Sequence, residues 1–413
     1  MKKVWLLVVL LTGSLVLAGC LNPNVPTEET NVPTEAVEQT ATVMVYNIDN
    51  DLIFNQDVVF TNQDTRSTIE ILEDQIEFIY QVFDFGVFVY GVGGFFPTEY
   101  GASFNYYLSL YVDDVTSVVG IDEVVLEDGM VISFKEKTML DQTDQDVDRL
   151  IYSFMSNHLS TYVNDTYIHH DVLAAILKLA LMGYDTPLLS ELVDSAALDT
   201  YLESLDTTLI GQTFKKAIIE IAFGKDILDT KTKLEAFTPS NVYDAANLLN
   251  ALFVVKSESE LVGQLQDQLL ENTPGTMDPD YAGMVMVALA PHLESHELID
   301  QLIAYIKTEQ SNTGMVSWGS ANAASTATTI LGLVAQGENP RDLAFTVDGV
   351  DLIQSLLLYE HNGAFKWLLA NESADMNFST PQAFAALVAY KLYRDIWENP
   401  PVYLYDLIDL SNA

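Results

Sequence analysis

The chain has 413 residues, 49% hydrophobic and 19% charged, enough apolar material for about two or three packed domains and too much for global disorder. Asp and Glu number 59 against 18 Lys and Arg, a formal net charge of −41, which excludes charge-driven binding to nucleic acid or to anionic lipid headgroups. A single cysteine excludes an intrachain disulfide, a Cys-based zinc site and an Fe–S cluster.

Residues 1–19 read as a signal peptide. Lys2 and Lys3 precede an apolar stretch, Val4 to Leu17, too short for an ordinary membrane span. It closes with Leu17-Ala18-Gly19-Cys20, which resembles a bacterial lipobox. That resemblance implies acylation of Cys20 and a lipoprotein anchored to the cell membrane on its extracellular side. Residues 20–40 carry the near-repeat Asn24-Val25-Pro26-Thr27-Glu28 and Asn31-Val32-Pro33-Thr34-Glu35. Such composition buries no core and predicts a disordered stalk.

Residues 41–140 read as a small β domain. Thr42 to Ile48 and Leu52 to Phe60 predict two strands joined by Asp49-Asn50-Asp51. Ser67-Thr68-Ile69-Glu70 is a capping box opening a helix expected to run to about Tyr80. Strands follow at Phe85 to Tyr90, Ser103 to Val112 and Val131 to Lys135, a β-grasp-like order.

Residues 141–398 read as helices. Six segments, starting near His169, Gln212, Asn241, Pro279, Asn322 and Thr380, are apolar nearly all round and belong in an interior. Six amphipathic segments alternate with them, near 146–163, 188–204, 226–236, 258–271, 295–309 and 348–359. Six inner and six outer helices predict an (α/α)6 toroid behind the β domain, an α+β multidomain fold. Residues 399–413 form a C-terminal tail, expected to be a cap or packed strap.

Most catalytic signatures fail. Asp144-Gln145-Asp146-Val147-Asp148 lacks the adjacent pair of a DxDD cyclase acid, and Asp113-Asp114-Val115-Thr116-Ser117 lacks the last Asp of DDxxD. An EF-hand reading of Asp144, Asp146 and Asp148 fails at Arg149 and Met155, leaving an acidic helix start favoured by the dipole. His292 and His296 have the i, i+4 spacing of two ligands, but Ser295 reads as an N-cap between them. His169-His170 reads as a solvent-facing cap. No metal site and no catalytic residue are expected.

One constellation remains. Asp280-Tyr281, Asn322 with Ser325 and Thr326, and Thr380 with Gln382 each stand at the start of an inner helix, and such starts converge on one mouth of a toroid. Trp318, His361 and Trp367 lie just before those starts and are expected to wall the mouth. Together they suit a polar, uncharged ligand. Ordinary capping by Asn322, Ser325 and Ser379 is the plainer alternative.

Residues 97–136, with Val112-Asp113-Asp114 and Glu127-Asp128-Gly129-Met130, and the helix start at Asp64 to Leu72, resemble the transcobalamin-like C-terminal domain family. Asp280 to Pro291, Asn322 to Thr326, and Gly363-Ala364-Phe365 with Ser379 to Ala383 are similar to the prenyltransferase and terpenoid-cyclase toroid superfamily. The pairing is that of the transcobalamin and intrinsic factor family, with the domain order reversed. The resemblance implies a non-enzymatic protein holding a small molecule, cobalamin or another corrinoid first among them, between β domain and toroid. A surface adhesion or scaffold protein using Phe95, Phe96, Tyr100, Phe104, Tyr106 and Tyr107 to bind a partner protein is one rival, and a carbohydrate-active toroid enzyme is another.

Cys20→Ser is expected to move the protein out of the membrane fraction, since several acyl chains contribute ~0.8 kcal/mol per buried CH2 and nothing else in the chain is positioned to anchor it. Cell fractionation checks this, and unchanged membrane association contradicts it.

Overall fold

The structure, a computed structural model, describes residues 36–84, 86–271, 278–292, 296–396 and 398–407. The signal peptide, Cys20, most of the stalk, Ser295 and the last six residues lie outside these. Two separate apolar cores, one in a sheet region and one in a helical region, make an α+β multidomain fold. Among the described residues no helix is long and apolar enough to cross a membrane.

The sheet region runs β1 (Glu38–Tyr46), β2 (Leu52–Thr61), α1 (Thr68–Glu73), β3 (Phe78–Phe83), β4 (Gly86–Val92), β5 (Tyr106–Val112), β6 (Val115–Thr116) and β7 (Val131–Thr138). Five strands form one sheet in the order β2-β1-β7-β5-β6, with β1 parallel to β7 at its centre. Period-two alternation puts Ala41, Val43 and Val45 of β1 into the core, against Ile132 and Phe134 of β7. Helix α1 adds Ile69 and Leu72 to that core, and its capping box forms as expected.

Three expectations need correction here. Helix α1 ends at Glu73 rather than Tyr80, because Phe78, Tyr80 and Val82 instead pair with Val92, Val89 and Val87 in a β3–β4 hairpin. A four-residue capping box starts a helix but does not sustain it against an aromatic, β-branched run. The stalk ends before residue 38, since Glu38, Gln39 and Thr40 pair with Thr61, Phe60 and Val59. Strand β5 starts at Tyr106, because Ser103 is held by Glu99, its Oγ donating to Oε2 at 2.7 Å.

The helical region runs α2 (Gln142–Asn157), α3 (Leu159–Tyr162), α4 (His170–Leu181), α5 (Leu189–Leu192), α6 (Ser195–Ser204), α7 (Ile210–Ala222), α8 (Leu228–Glu235), α9 (Val242–Val254), α10 (Leu261–Leu270), α11 (Pro279–Leu289), α12 (Glu297–Glu309), α13 (Ala323–Ala335), α14 (Leu352–Leu357) and α15 (Ser379–Asp395). Helices α4, α7, α9, α11, α13 and α15 touch in that order, and α15 returns to α4, closing a ring. These are the six segments that read as apolar all round. Small residues let them approach: a Cβ at Gly332 of α13 would stand 2.9 Å from the Gly283 Cα of α11. Helices α2, α8, α10, α12 and α14 pack on this ring. Short hairpins at 163–168, 310–321 and 360–365 lead into α4, α13 and α15.

The tail proves to be a packed strap. Val402, Leu404 and Leu407 are buried, and the Tyr403 and Tyr405 hydroxyls donate to Asn250 of α9 and Asp171 of α4 at 2.8 and 2.7 Å. The Val402 amide donates to the Val334 carbonyl of α13, so the strap is bonded to three helices of the ring.

The two regions are joined by a buried ion cluster. Lys391 of α15 is completely buried, and its Nζ meets Glu99 at 2.6 Å, Asp395 at 2.8 Å and Asp148 of α2 at 3.0 Å. Arg394 adds contacts to Asp395 at 2.6 Å and Asp148 at 2.9 Å. Tyr152, Tyr106 and Tyr184 donate hydroxyls to Glu99, Asp148 and Asp395. Asp148 is thus an interface anchor on α2, and Asp144 binds Arg341 and the Tyr390 hydroxyl within the helical region, where the sequence suggested only a dipole-favoured acidic start. Burial pushes the Glu99 carboxyl above the usual range, with Lys391 opposing and Asp148 reinforcing. Burial also acts against ionised Asp395, but Lys391 and Arg394 outweigh it and hold its pKa down. Burial pulls the Lys391 ammonium down, and the carboxylates of Asp148, Asp395 and Glu99 more than reverse this.

Lys391→Ala should cost ~3–5 kcal/mol, since it leaves buried carboxylates facing one another. Glu99→Gln should cost less than half as much, because three carboxylates face only two cations. Stability contributed by Asp395 should be complete above the ordinary 3.8 and lost as pH falls through its lowered folded value; that from Lys391 should persist below 10.5 and be lost as pH rises through its raised folded value. Urea unfolding across pH checks all three expectations.

Candidate functional site

The site grows from three helix starts. Asn322 is the N-cap of α13, its Oδ1 accepting from the Ser325 amide at 2.9 Å. Asp278, not Asp280, caps α11, accepting from the Tyr281 amide at 2.8 Å. Helix α15 is capped from outside by Asp375, whose carboxylate accepts from the amides of Asn377, Phe378 and Ser379 and from the Ser379 hydroxyl.

Two threonines tie hairpins to these starts. The Met315 amide donates to Thr326 Oγ1, and the Phe365 amide to Thr380 Oγ1, each at 2.9 Å. Thr326 and Thr380 are therefore buried structural pins, although the sequence placed them at the mouth. The hairpins carry the tryptophans. Trp318-Gly319 joins the paired residues Ser317 and Ser320, with φ of 55° and 83°. That is the backbone of a type I′ turn, which Asn-Gly would fill readily and Trp fills at a cost of about 1–2 kcal/mol. Trp367 is fixed by its carbonyl, which accepts from the Ala323 amide at 3.0 Å.

Between them lies a cleft of about 620 Å3. Its floor is Asp280, Asn322, Ala324, Ser325 and Gln382, its rim Trp318, Trp367 and Phe378, and its outer wall the loop Asn371 to Asp375. Trp318 is 85% exposed, Phe378 67% and Trp367 45%. Asp280 faces the Ser317 hydroxyl at 3.5 Å. Burial pushes its carboxyl up, the Ser325 hydroxyl pulls it down, Asp278 pushes it up again and Ser317 pulls it down, with a net rise. The Gln382 Oε1 is buried without a protein partner.

Six of the ten residues expected at the mouth, Asp280, Trp318, Asn322, Ser325, Trp367 and Gln382, line this cleft. Four do not. Tyr281 is buried edge-on against Tyr243, with ring centroids 5.9 Å apart. Thr326 and Thr380 point into the hairpins, and His361 lies on the 360–365 hairpin beside Asn362. The loop residues Asn371, Glu372, Asp375 and Phe378 were missed. Their only signal was a polar, small-residue insertion between Trp367 and α15, which has no period to read.

Every lining residue lies between 280 and 382, so none comes from the sheet region. The expected place for a ligand, between the two regions, is instead packed by the Lys391 cluster. Gln382 of the cleft and Lys391 of the cluster stand nine residues, about 14 Å, apart along α15.

The histidines divide. His296 caps α12, its Nδ1 accepting from the Leu298 amide, and His292 packs edge-on against Phe253, so they form no ligand pair. His169 makes no side-chain cap, contrary to expectation. Donor atoms of His169, His170 and Asp171 lie within 4.8 Å of one another, a grouping the sequence reading did not anticipate. Burial holds His169 down at about 4, with Asp171 opposing and His170 and Lys215 adding to the fall. Asp171 already accepts the Tyr405 hydroxyl and stands 3.3 Å from His170 Nε2.

No family model and no curated protein matches the chain. A solved structure of a candidate metal binding protein from Ruminococcus gnavus ATCC 29149 is similar over 25% of this chain and 99% of that one, at 15% identity and a TM-score of 0.20, too slight a likeness to carry an argument.

Thr326→Val and Thr380→Val should each cost ~1–3 kcal/mol by leaving the Met315 or Phe365 amide buried and unpaired. Urea unfolding reads the loss, and near-ultraviolet circular dichroism should report loosened tryptophans at the cleft.

Proposed function

We propose that the protein is a lipid-anchored, cell-surface binding protein that holds a polar, ring-bearing small molecule in the cleft at the starts of α11, α13 and α15. The observation that carries this is a cleft of about 620 Å3 with a polar floor and exposed tryptophans at its rim. Pockets of that size and mixture suit small ligands. The closed helix ring supports reading the helical region as an (α/α)6 toroid. The strand order β2-β1-β7-β5, with its central parallel pair, supports the β-grasp-like, transcobalamin-like reading of the sheet. A corrinoid is one ligand of the required kind, and its place would be the cleft rather than the interface. The role proposed is binding: of the three lining carboxylates, Asp375 is taken up in capping α15, Asp280 sits against serine hydroxyls, and Glu372 stands on the outer loop.

Native mass spectrometry of the mature protein, followed by titration with cobalamin and cobinamide, tests the reading. Trp318→Ala and Trp367→Ala should each weaken binding of the ligand found by ~1–3 kcal/mol, since aromatic contacts dominate such sites. Tyr281→Phe should leave it unchanged. Equal binding by both tryptophan variants, with folding intact, contradicts the reading.

A further inference from the structure

Resting on that reading of the cleft, we infer that its ligand is a neutral or amino-bearing carbohydrate, with sugar rings laid on Trp318 and Trp367 and hydroxyls turned to the floor. A pyranose ring has two kinds of surface. Its faces present C–H groups, and its edge presents hydroxyls. A site for it needs flat apolar plates beside convergent amides and carboxylates. The cleft offers both within one wall. Asn322, Gln382 and Asn371 supply amides, Asp280 supplies a carboxylate, and the two indoles stand above them.

The Trp318 backbone points the same way. A tryptophan in a left-handed turn position, 85% exposed, neither packs the core nor eases the turn. Its neighbours hold it still: Ser317 pairs with Ser320, and Asn322 caps α13 just beyond. Trp367 is held by its bond to the Ala323 amide on the same helix start. The backbone beneath both plates is therefore fixed before a ligand arrives, which lowers part of the ordering cost of binding.

Charge narrows the class. The lining holds Asp280, Glu372 and Asp375 and no Lys, Arg or His. With a chain charge of −41, that potential disfavours uronates, sialates and phosphorylated sugars. Neutral hexose chains and amino sugars meet no such penalty.

The test uses the mature protein and four probes: cellohexaose, maltohexaose, chitohexaose and an oligogalacturonate. Calorimetry and tryptophan fluorescence should show at least one of the first three binding, with a blue shift as indole is covered. Trp318→Ala and Trp367→Ala should each weaken that binding about tenfold or more, while Trp318→Phe should restore most of it. Oligogalacturonate should bind at least about tenfold more weakly than the best neutral probe at low salt. Two results would overturn the inference: no binding by any neutral probe at millimolar concentration, or binding indifferent to both tryptophans. If cobinamide then binds with the same tryptophan dependence, the cleft reading stands and only the carbohydrate assignment falls. If the tryptophan variants alter binding of no ligand at all, both fall.

Discussion

Lys391 is the buried cation on which the joint between the sheet region and the helices rests. It is fully buried, and the carboxylates that keep it ionised come from the sheet region (Glu99), from α2 (Asp148) and from its own helix (Asp395). A buried ion pair is a poor source of net stability, because desolvation cancels most of the attraction. Its value here lies in geometry. Three carboxylates, two cations and three tyrosine hydroxyls are satisfied together in one placement of the sheet on the helices, and any slide would leave charges unpaired in a dry interface. Of the chain's four arginines, Arg394 serves this seam, while Arg341 binds Asp141, Asp144 and Asp351 within the helical region. In a chain so short of cations, that is a large commitment.

Helix α15 carries the consequence to the other end. Its last turn sits in the ion cluster, and its first turn supplies Gln382 to the cleft and Thr380 to the hairpin that bears Trp367. The strap adds a second constraint. Tyr403 and Tyr405 bind α9 and α4, while the open volume lies at the starts of α11, α13 and α15. Extra hairpins before α13 and α15 then raise walls there. The cleft is thus a product of helix starts and of what the loops between the helices add.

Much of this was legible residue by residue. DVLAAILKLALMG, YAGMVMVALA and PQAFAALVAYKLY are apolar on every side, which a helix tolerates only inside other helices, and all three lie in the ring. Asn322 announced a helix start because a side-chain acceptor there meets free amides. Trp318 and Trp367, just before such starts, had nowhere else to stand than at the mouth. The reading failed where a residue type fits two environments. Tyr281 at a helix start suits a ligand or a core, and neighbouring Tyr243 settled it for the core. Thr326 and Thr380 suit a ligand hydroxyl or a backbone amide, and the hairpins claimed them. The helix expected to reach Tyr80 stopped at Glu73, since its later residues gained more from pairing with β4 than from about two more helical turns.

Local periodicity, caps and composition by themselves determined the two regions, the six buried helices, the strap and most of the cleft's floor, because each is encoded within a few turns of chain. Only the tertiary structure decided where the regions meet and where the opening lies. Glu99, Asp148 and Lys391 are far apart along the chain, and no local signal distinguishes them from the other charged residues. Their partnership appears only when burial removes water and leaves Lys391 and Arg394 as the cations within reach of these carboxylates.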